Sequence, residues 1–517
     1  MAIDALWVVI LVVALLAGIL SGLPVIFVIA GVPTLIGFAA HFFGHFDLTY
    51  FQAVPQRIFG VMENRLLIAV PLFVMMGVLL ERSRQAERML ENINRLFGGT
   101  RTGLALSVLF VSTLIAASTG IIGATIVALG TISLPSLLKS GVDDRTASGL
   151  ICASGTLGQI IPPSIVLILL GDQVSNAYIE SQQAAGNFAP DAVTIGDLFA
   201  GAILPGLLLV GLYGLYIVFR LRGASPSVDR EPMDSAELLQ TLRAILPTLI
   251  LIFSVLGSIL FGVATPTEAA GVGVAGTILI AAAQISPSHA RSAAFTGLFA
   301  IGLLAASVSG FLKVDFSTGH LAMTGGTLLT MALIAFLAAS LAWHALVLAR
   351  AGILRPSMVE SLTVSGMIFG IIIAASILSL VFRGFHGDEM VAELLGHVPG
   401  GPYGMLVAAM LVIFLLGFIL EFVEIIFIVI PIVGPVILQS DISPVWFAIL
   451  IAMNLQTSFL TPPFGFALFY FRSVAPAHIR TVTIYRAIIP FVILQLIAIL
   501  CLAMMPALAT WLPDQLF

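Results

Sequence analysis

Long apolar runs separated by short polar segments dominate the chain from end to end. Many runs approach the roughly 20 residues that a helix needs to cross a bilayer, and they lack the alternation of about ten residues that marks membrane β-strands. Backbone groups inside lipid must be paired within their own segment, so the runs predict helices. At the N-terminus, Leu6–Leu20 and Pro24–Ala40 predict two short spans, with one tilted span as the alternative.

Two apolar runs are interrupted by a proline pair, at Pro162-Pro163 and Pro462-Pro463. Proline removes a hydrogen-bond donor and clashes with the preceding turn, so a helix must kink or break there. Pro135 and Pro435 repeat at the same spacing, which makes chance an unsatisfactory explanation. Broken helices at corresponding places in two halves of a membrane protein indicate the binding site of a secondary transporter.

Composition supports a membrane protein without a soluble domain. Hydrophobic residues make up 60% of the chain and charged residues only 9%, against about 25% charged residues in soluble domains. Cys152 and Cys501 lie far apart in apolar segments, which predicts two unpaired thiols. The chain contains no His-Glu-x-x-His, Gly-x-Ser-x-Gly or Walker motif, so neither an enzyme nor an ATP-driven pump is expected. No nucleic-acid partner is expected either.

Basic residues predict the topology of the first half, because they concentrate in cytoplasmic loops. The clusters Arg82–Arg101, Lys139–Arg145 and Arg220–Arg243 are therefore placed inside. The uncharged stretch between the first two clusters is too short for two spans of about 20 residues. It therefore predicts a re-entrant hairpin over residues 103–138, followed by a broken helix over 145–171 that crosses outward.

The second half repeats this order with the opposite sense. A second hairpin is predicted over residues 403–438, then a broken helix over 444–471 and a last span, Ile484–Trp511, which places the C-terminus in the periplasm. The sequence therefore predicts an all-α polytopic integral membrane protein with an inverted-topology repeat. The predicted divisions are 1–222 for the first repeat, 223–241 for a cytoplasmic linker and 242–517 for the second repeat, with an inserted helix pair over about 285–355.

Three ordered motifs resemble the large membrane subunit of tripartite ATP-independent periplasmic (TRAP) transporters. They are Ala153–Ser164, Thr265–Ala270 and Leu460–Gly465. The resemblance covers nearly the whole chain except the inserted pair, which resembles a longer subgroup. It implies a sodium-coupled, elevator-type importer of organic acids in the bacterial inner membrane, similar to the ion-transporter superfamily. It also implies two protein partners, a periplasmic solute-binding protein and a small four-helix membrane subunit.

A stand-alone ion-coupled organic-anion transporter or exchanger is the closest alternative. An inverted repeat supports alternating access by itself, so the architecture does not require a binding protein. The neighbouring genes would distinguish the two interpretations, because a TRAP system also encodes a small four-span protein and a secreted binding protein.

Oxygen-rich segments at the two hairpin tips and breaks are the candidate sodium sites. Na⁺ favours oxygen ligands, and unwound carbonyls and half-helix C-termini supply them. Sodium is the one coupling ion expected, and no cofactor is. The first candidate site combines Ser118, Thr119 and Gly120 with Gly155, Thr156 and Gly158; the second combines Gly417 and Glu421 with Asn454, Thr457 and Ser458. Small residues at these positions also allow close helix packing, which is the competing interpretation.

Half-helix N-termini at the breaks present free N–H groups suited to a solute carboxylate. The residues predicted to bind the solute surround them: Ser154, Gln159, Pro162, Ser164, Glu424, Gln456, Thr461 and Pro462. Glu421 and Glu424 are three residues apart in an apolar segment, and carboxylates within a membrane usually serve function. They are expected to neutralise sodium, carry protons or fix the hairpin, whereas a hydrogen-bonded structural acid is the alternative.

Overall fold

The computed structural model describes residues 2–96, 100–120, 122–190, 192–222, 235–308, 325–462 and 465–517. Every regular element within these ranges is a helix. The N-terminal helices are α1 (Ala2–Leu20), α2 (Val25–Phe42), α3 (Val54–Glu63), α4 (Ala69–Arg82) and α5 (Gln85–Leu96). Short 3₁₀ helices precede α3 and α4, and the chain bends by 54° at Asn64 between them.

The segment predicted as the first hairpin contains α6 (Arg101–Thr119) and α7 (Ile122–Lys139). The segment with the first proline pair follows as α8 (Asp144–Gly155), a 3₁₀ helix (Thr156–Gln159) and α9 (Ile165–Ala184). Next comes α10 (Ile195–Arg220). Side-chain caps define these starts: Thr100 Oγ1 accepts from the Gly103 amide, and an Asp143 carboxylate oxygen accepts from the Thr146 amide, which satisfies amides that lack a helical partner.

The central helices are α11 (Ser235–Leu260), α12 (Pro266–Ala283), α13 (Pro287–Val308), α14 (Gly325–Arg350), α15 (Leu354–Gly384) and α16 (Gly387–Gly396). A capping box starts α12: the Glu268 carboxylate accepts from the Thr265 amide and hydroxyl, and Thr265 Oγ1 accepts from the Glu268 amide. The predicted insertion corresponds to α13 and α14, whose connection, 309–324, lies outside the described residues.

The C-terminal helices are α17 (Gly401–Leu416), α18 (Phe422–Ile428), α19 (Ile430–Ile437), α20 (Pro444–Leu460), α21 (Phe466–Val474), α22 (Thr481–Met504) and α23 (Ala507–Leu516). Among the described residues, nine helices are long and apolar enough to cross a membrane, or up to eleven if each of two bent pairs is one span. The prediction of an all-α polytopic membrane protein is therefore confirmed.

All the helices but α16 form two groups, which we call the frame (α1–α5 and α11–α15) and the core unit (α6–α10 and α17–α23). Helix α16 contacts members of both groups. Within the frame, α15 packs on α2 and α4, and α12 packs on α4, α11, α13 and α14. Within the core unit, α8 packs on α7 and α22, α9 on α19 and α20, and α10 on α23. The two groups meet where α4 and α5 contact α6 and where α15 contacts α18.

Three predicted boundaries were wrong. Helix α9 continues past the predicted end at 171 to Ala184, because Asp172 is buried and accepts a hydrogen bond from Asn64 instead of ending the span. Helix α11 begins at Ser235, inside the predicted linker 223–241, because strong helix formers follow that residue; residues 223–234 lie outside the described ranges. The predicted last span is divided at Pro506, which has no N–H to continue α22.

Candidate ion and solute site

The first break separates α8 from α9 and is buried except at Ile161, which is partly exposed. The 3₁₀ helix follows Gly155 directly, and all four of its residues, Thr156–Gln159, are buried. Pro162 and Pro163 are joined by a cis peptide bond, and the backbone carbonyl of Gln159 accepts a 2.9 Å hydrogen bond from Ser164 Oγ. Residues 160–164 lie outside the helices, and a break of this kind makes backbone groups available to a ligand.

The tip of the α6–α7 segment rests on this break through backbone atoms, and we call this contact the first junction. Gly120 ends α6 in the left-handed region with φ +61°, which favours glycine. A Cβ atom on Gly158 would lie 3.3 Å from the Ala116 carbonyl oxygen and 3.6 Å from Gly120 Cα. A Cβ atom on Gly120 would lie 3.3 Å from the Ile165 amide nitrogen. Gly120 and Gly158 are therefore adjacent.

Not every member of the first predicted sodium set lies at that contact. A Cβ atom on Gly155 would overlap the side chain of Ile126 in α7, so Gly155 faces the second helix of the segment and not its tip. Ser118 and Thr119 are helical residues at the end of α6, and their side chains lie outside the described part of the structure.

The second break follows α20 at Leu460, and α21 begins at Phe466 after Gly465. Thr461 Oγ1 donates to the Thr457 carbonyl at 2.7 Å, so this side chain closes the last turn of its own helix. Pro462 is partly buried, whereas Pro463 lies outside the described ranges.

The turn between α17 and α18 rests on the second break through Gly417, and we call this contact the second junction. A Cβ atom on Gly417 would overlap Ser458 Oγ. Asn454 Nδ2 donates to the Met410 carbonyl at 2.7 Å and so joins α20 to α17. The hydroxyl groups of Thr457 and Ser458 donate to the carbonyls of Met453 and Leu455, each at 2.8 Å, which leaves their oxygen lone pairs available as acceptors.

The two predicted carboxylates lie at the start of α18. Glu421 is the residue before its first turn, and the buried Glu424 carboxylate accepts a hydrogen bond from the Glu421 backbone N–H. An acid in this position satisfies a free amide and interacts favourably with the helix dipole. Glu424 therefore stabilises the start of α18, the helix that contacts α15 of the frame.

The two breaks contact each other through a pair of side chains. Gln456 Nε2 donates to Thr156 Oγ1 at 3.3 Å, across a separation of 300 residues. The proline pairs are separated by the same number of residues. The prediction from sequence placed Thr156 with sodium and Gln456 with the solute, and it missed their contact. The signal in the sequence was the spacing of 300 residues, which separates Thr156 from Gln456 and also the two proline pairs. Residues at equivalent positions of the two segments can touch where the segments cross.

All three predicted solute-binding hydroxyls, on Ser154, Ser164 and Thr461, donate to the backbone. Ser154 donates to the Leu150 carbonyl and Ser164 to that of Gln159. Both polar atoms of Gln159 are buried and have no hydrogen-bond partner among the described residues, and the same holds for Gln456 Oε1. The structure therefore distinguishes two carboxamides from the other predicted residues.

Two polar contacts connect α9 of the core unit to the frame. Asn64 Nδ2 donates to an Asp172 carboxylate oxygen at 2.8 Å, and Arg383 forms a 3.0 Å ion pair with Glu180. A third pair, Arg82 with Glu360 at 2.6 Å, joins α4 to α15 within the frame.

The structure has two matched helix breaks, and the turn of a neighbouring helical segment packs near each of them. This arrangement is typical of a helical membrane transporter. The family model for the DctM component of tripartite ATP-independent periplasmic transporters matches residues 8–508, and the chain belongs to this family. It is therefore a multi-pass inner-membrane permease subunit and not an enzyme, and it works with a small membrane subunit and a periplasmic binding protein.

Named relatives match along most of the chain. The C4-dicarboxylate TRAP transporter large permease protein DctM of Pseudomonas aeruginosa is 26% identical over 90% of both chains. The ectoine TRAP transporter large permease protein TeaC of Halomonas elongata is 25% identical over 98% of this chain and 99% of its own. Among solved structures, the YdaH transporter of Alcanivorax borkumensis aligns with a TM-score of 0.54 at 13% identity over 88% of both chains, which indicates a similar fold.

Proposed function

We propose that this chain is the permease of a sodium-coupled TRAP system that imports a small organic acid by movement of the core unit against the frame. The observation that carries the proposal is the pair of junctions: a turn packs against the first break through backbone atoms, and a second turn packs against Ser458 in the last turn before the second break. Carbonyl oxygens released by the breaks and the acceptor oxygens of Thr457 and Ser458 suit Na⁺, which favours oxygen ligands. The first sodium site uses Gly120 and Gly158, and the second uses Gly417 with Glu421.

In the proposed orientation the C-terminus lies in the periplasm, the side where the binding protein delivers the solute. This orientation rests on the distribution of basic residues, which concentrate on the cytoplasmic side. The solute site lies between the breaks, beside Gln159 and Gln456. Alternating access exposes such a site first to one side and then to the other.

The contacts of α9 support relative movement of the two groups. Among the described residues, the pairs Asn64–Asp172 and Arg383–Glu180 join α9 to the frame. The pair Arg383–Glu180 is partly exposed, so solvent weakens it. Movement of the core unit must separate both this pair and the pair Asn64–Asp172. The ion pair Arg82–Glu360 lies within the frame and remains closed throughout the cycle.

A reversible crosslink tests both the sodium coupling and the movement. Permease carrying Cys152→Ala and Cys501→Ala is reconstituted with its small subunit and binding protein, and uptake of labelled succinate, lactate and ectoine is followed under an imposed sodium gradient. We expect gradient-dependent uptake. In the same background, Asn64→Cys with Asp172→Cys is joined by a thiol crosslinker that a reductant cleaves.

The crosslink across the two groups is expected to stop uptake, and reductant is expected to restore it. Arg82→Cys with Glu360→Cys is the matched control, because a crosslink within the frame leaves uptake intact. Uptake that is the same with and without a sodium gradient contradicts the proposed coupling to sodium. Uptake that continues in the crosslinked Asn64–Asp172 pair contradicts the movement.

A further inference from the structure

The Gln159 side chain is the strongest unexplained feature of the first break. It is fully buried, and neither its Nε2 donor nor its Oε1 acceptor has a hydrogen-bond partner in the described part of the chain. Burial of an amide without a partner costs free energy, so buried polar groups are usually paired. An unpaired amide beside a helix break is an arrangement that a bound molecule would complete.

The position of Gln159 places it beside the contact between the two breaks. Residues three apart eclipse one another in a 3₁₀ helix, so Gln159 is stacked along the helix on Thr156. Thr156 accepts the hydrogen bond from Gln456, whose Oε1 also has no partner among the described residues. The two glutamines next to this contact therefore carry three polar atoms without a partner among the described residues, one donor and two acceptors.

The charged residues near the breaks limit the net charge of a solute that these amides can bind. The predicted hairpins and broken helices, over 103–138, 145–171, 403–438 and 444–471, contain one basic residue, the exposed Arg145 in the first turn of α8, and Glu421 and Glu424 are their acidic residues. Proteins bind carboxylates most strongly through arginine. A solute with two carboxylates would face two glutamates here, with the proposed sodium ions and no buried side-chain cation to offset its charge. Each further negative charge on the solute is therefore disfavoured.

We propose that Gln159, together with Gln456, recognises the solute through neutral hydrogen bonds, and that the solute carries both donor and acceptor groups with at most one net negative charge. Hydroxy monoacids and zwitterionic carboxylates belong to this class, whereas simple dicarboxylates do not. This inference rests on the proposed transport function. It assigns the Gln159 Nε2 donor to a solute oxygen and the two free Oε1 acceptors to donor groups of the solute.

Substitution of Gln159 by Leu separates a binding role from a structural one. Leucine removes the two unpaired polar atoms at similar size, so the melting temperature of the purified permease should stay equal or rise. Uptake of lactate or ectoine in the complete tripartite system should fall at least tenfold. Gln456→Leu is the matched control: it removes the hydrogen bond to Thr156, so it should lower both the melting temperature and uptake.

Several results would overturn the inference. A lower melting temperature with unchanged uptake in Gln159→Leu would show that the amide is structural and completed by buried water. Wild-type uptake in the variant excludes recognition by Gln159, and preferred uptake of succinate over lactate and ectoine excludes the solute class. If the unmodified system shows no sodium-driven uptake of any of the three probes, the proposed function is contradicted instead. The melting temperature of Gln159→Leu then still shows whether the Gln159 amide stabilises the fold.

Discussion

At both junctions a turn packs closely against a neighbouring segment, but the atoms in contact differ. At the first, backbone meets backbone: Gly158 faces the Ala116 carbonyl, and no carboxylate is present in the segment that forms the tip. At the second, Gly417 faces the hydroxyl of Ser458, and Asn454 fixes α20 to α17. The second junction therefore depends on side chains, so single substitutions there should lower stability and uptake more than substitutions at the first junction.

Gly417→Ala should have the largest effect. The added methyl group overlaps Ser458 Oγ, and overpacking of a buried contact costs about 1–3 kcal/mol. We expect a lower melting temperature and at least a tenfold loss of sodium-driven uptake. Gly158→Ala at the first junction is the comparison, because its Cβ meets the nearest atom at 3.3 Å, and it should lose less of both.

A second substitution sharpens this prediction. The positions that match Gly417 and Ser458 in the first half hold Ala117 and Gly158, so the small and larger residues are exchanged between the two junctions. Gly417→Ala combined with Ser458→Gly recreates the first arrangement and should recover the melting temperature. A double variant as unstable as Gly417→Ala alone would refute the steric explanation.

Replacement of Glu421 by Ala should have an intermediate effect, on sodium dependence. The matching position in the first half is the apolar Ile121, so only the second junction has a carboxylate here. We expect the sodium concentration for half-maximal uptake to rise about tenfold, which corresponds to about 1.4 kcal/mol. Glu424→Ala is the control that should lower stability, because it removes the cap of α18. An unchanged sodium dependence in Glu421→Ala removes that residue from the coupling site.

The smallest effect is expected for Asn454→Ala, which removes the 2.7 Å hydrogen bond to the Met410 carbonyl. Such a bond contributes about 1 kcal/mol, so the melting temperature should fall measurably. Ser154 occupies the matching position and bonds only within its own helix, so Ser154→Ala should leave the melting temperature nearly unchanged. Equal falls in the two variants would mean that the junctions do not differ as described.

The sequence predicted the helical class and a break near each proline pair, because proline leaves a local signature. Helix α20 ends just before its pair, whereas α8 already ends at Gly155. It did not predict the full length of α9, since Asp172 resembles the end of a span until its partner Asn64 is known. It also did not predict the contact between Gln456 and Thr156, because a side-chain contact across 300 residues depends on how the segments cross. Features set by neighbouring residues, such as a proline break, were predictable, whereas contacts between residues far apart in sequence were not.

The touching pair Thr156 and Gln456 has a consequence for how this permease arose. If each half was once a separate subunit, the ancestor was a twofold homodimer, and a residue on its axis contacted its own copy. Such a position could hold two threonines or two glutamines, but never one of each. Divergence of the two halves lifts that restriction, so the unequal pair at the centre is a difference that a symmetric homodimer could not hold.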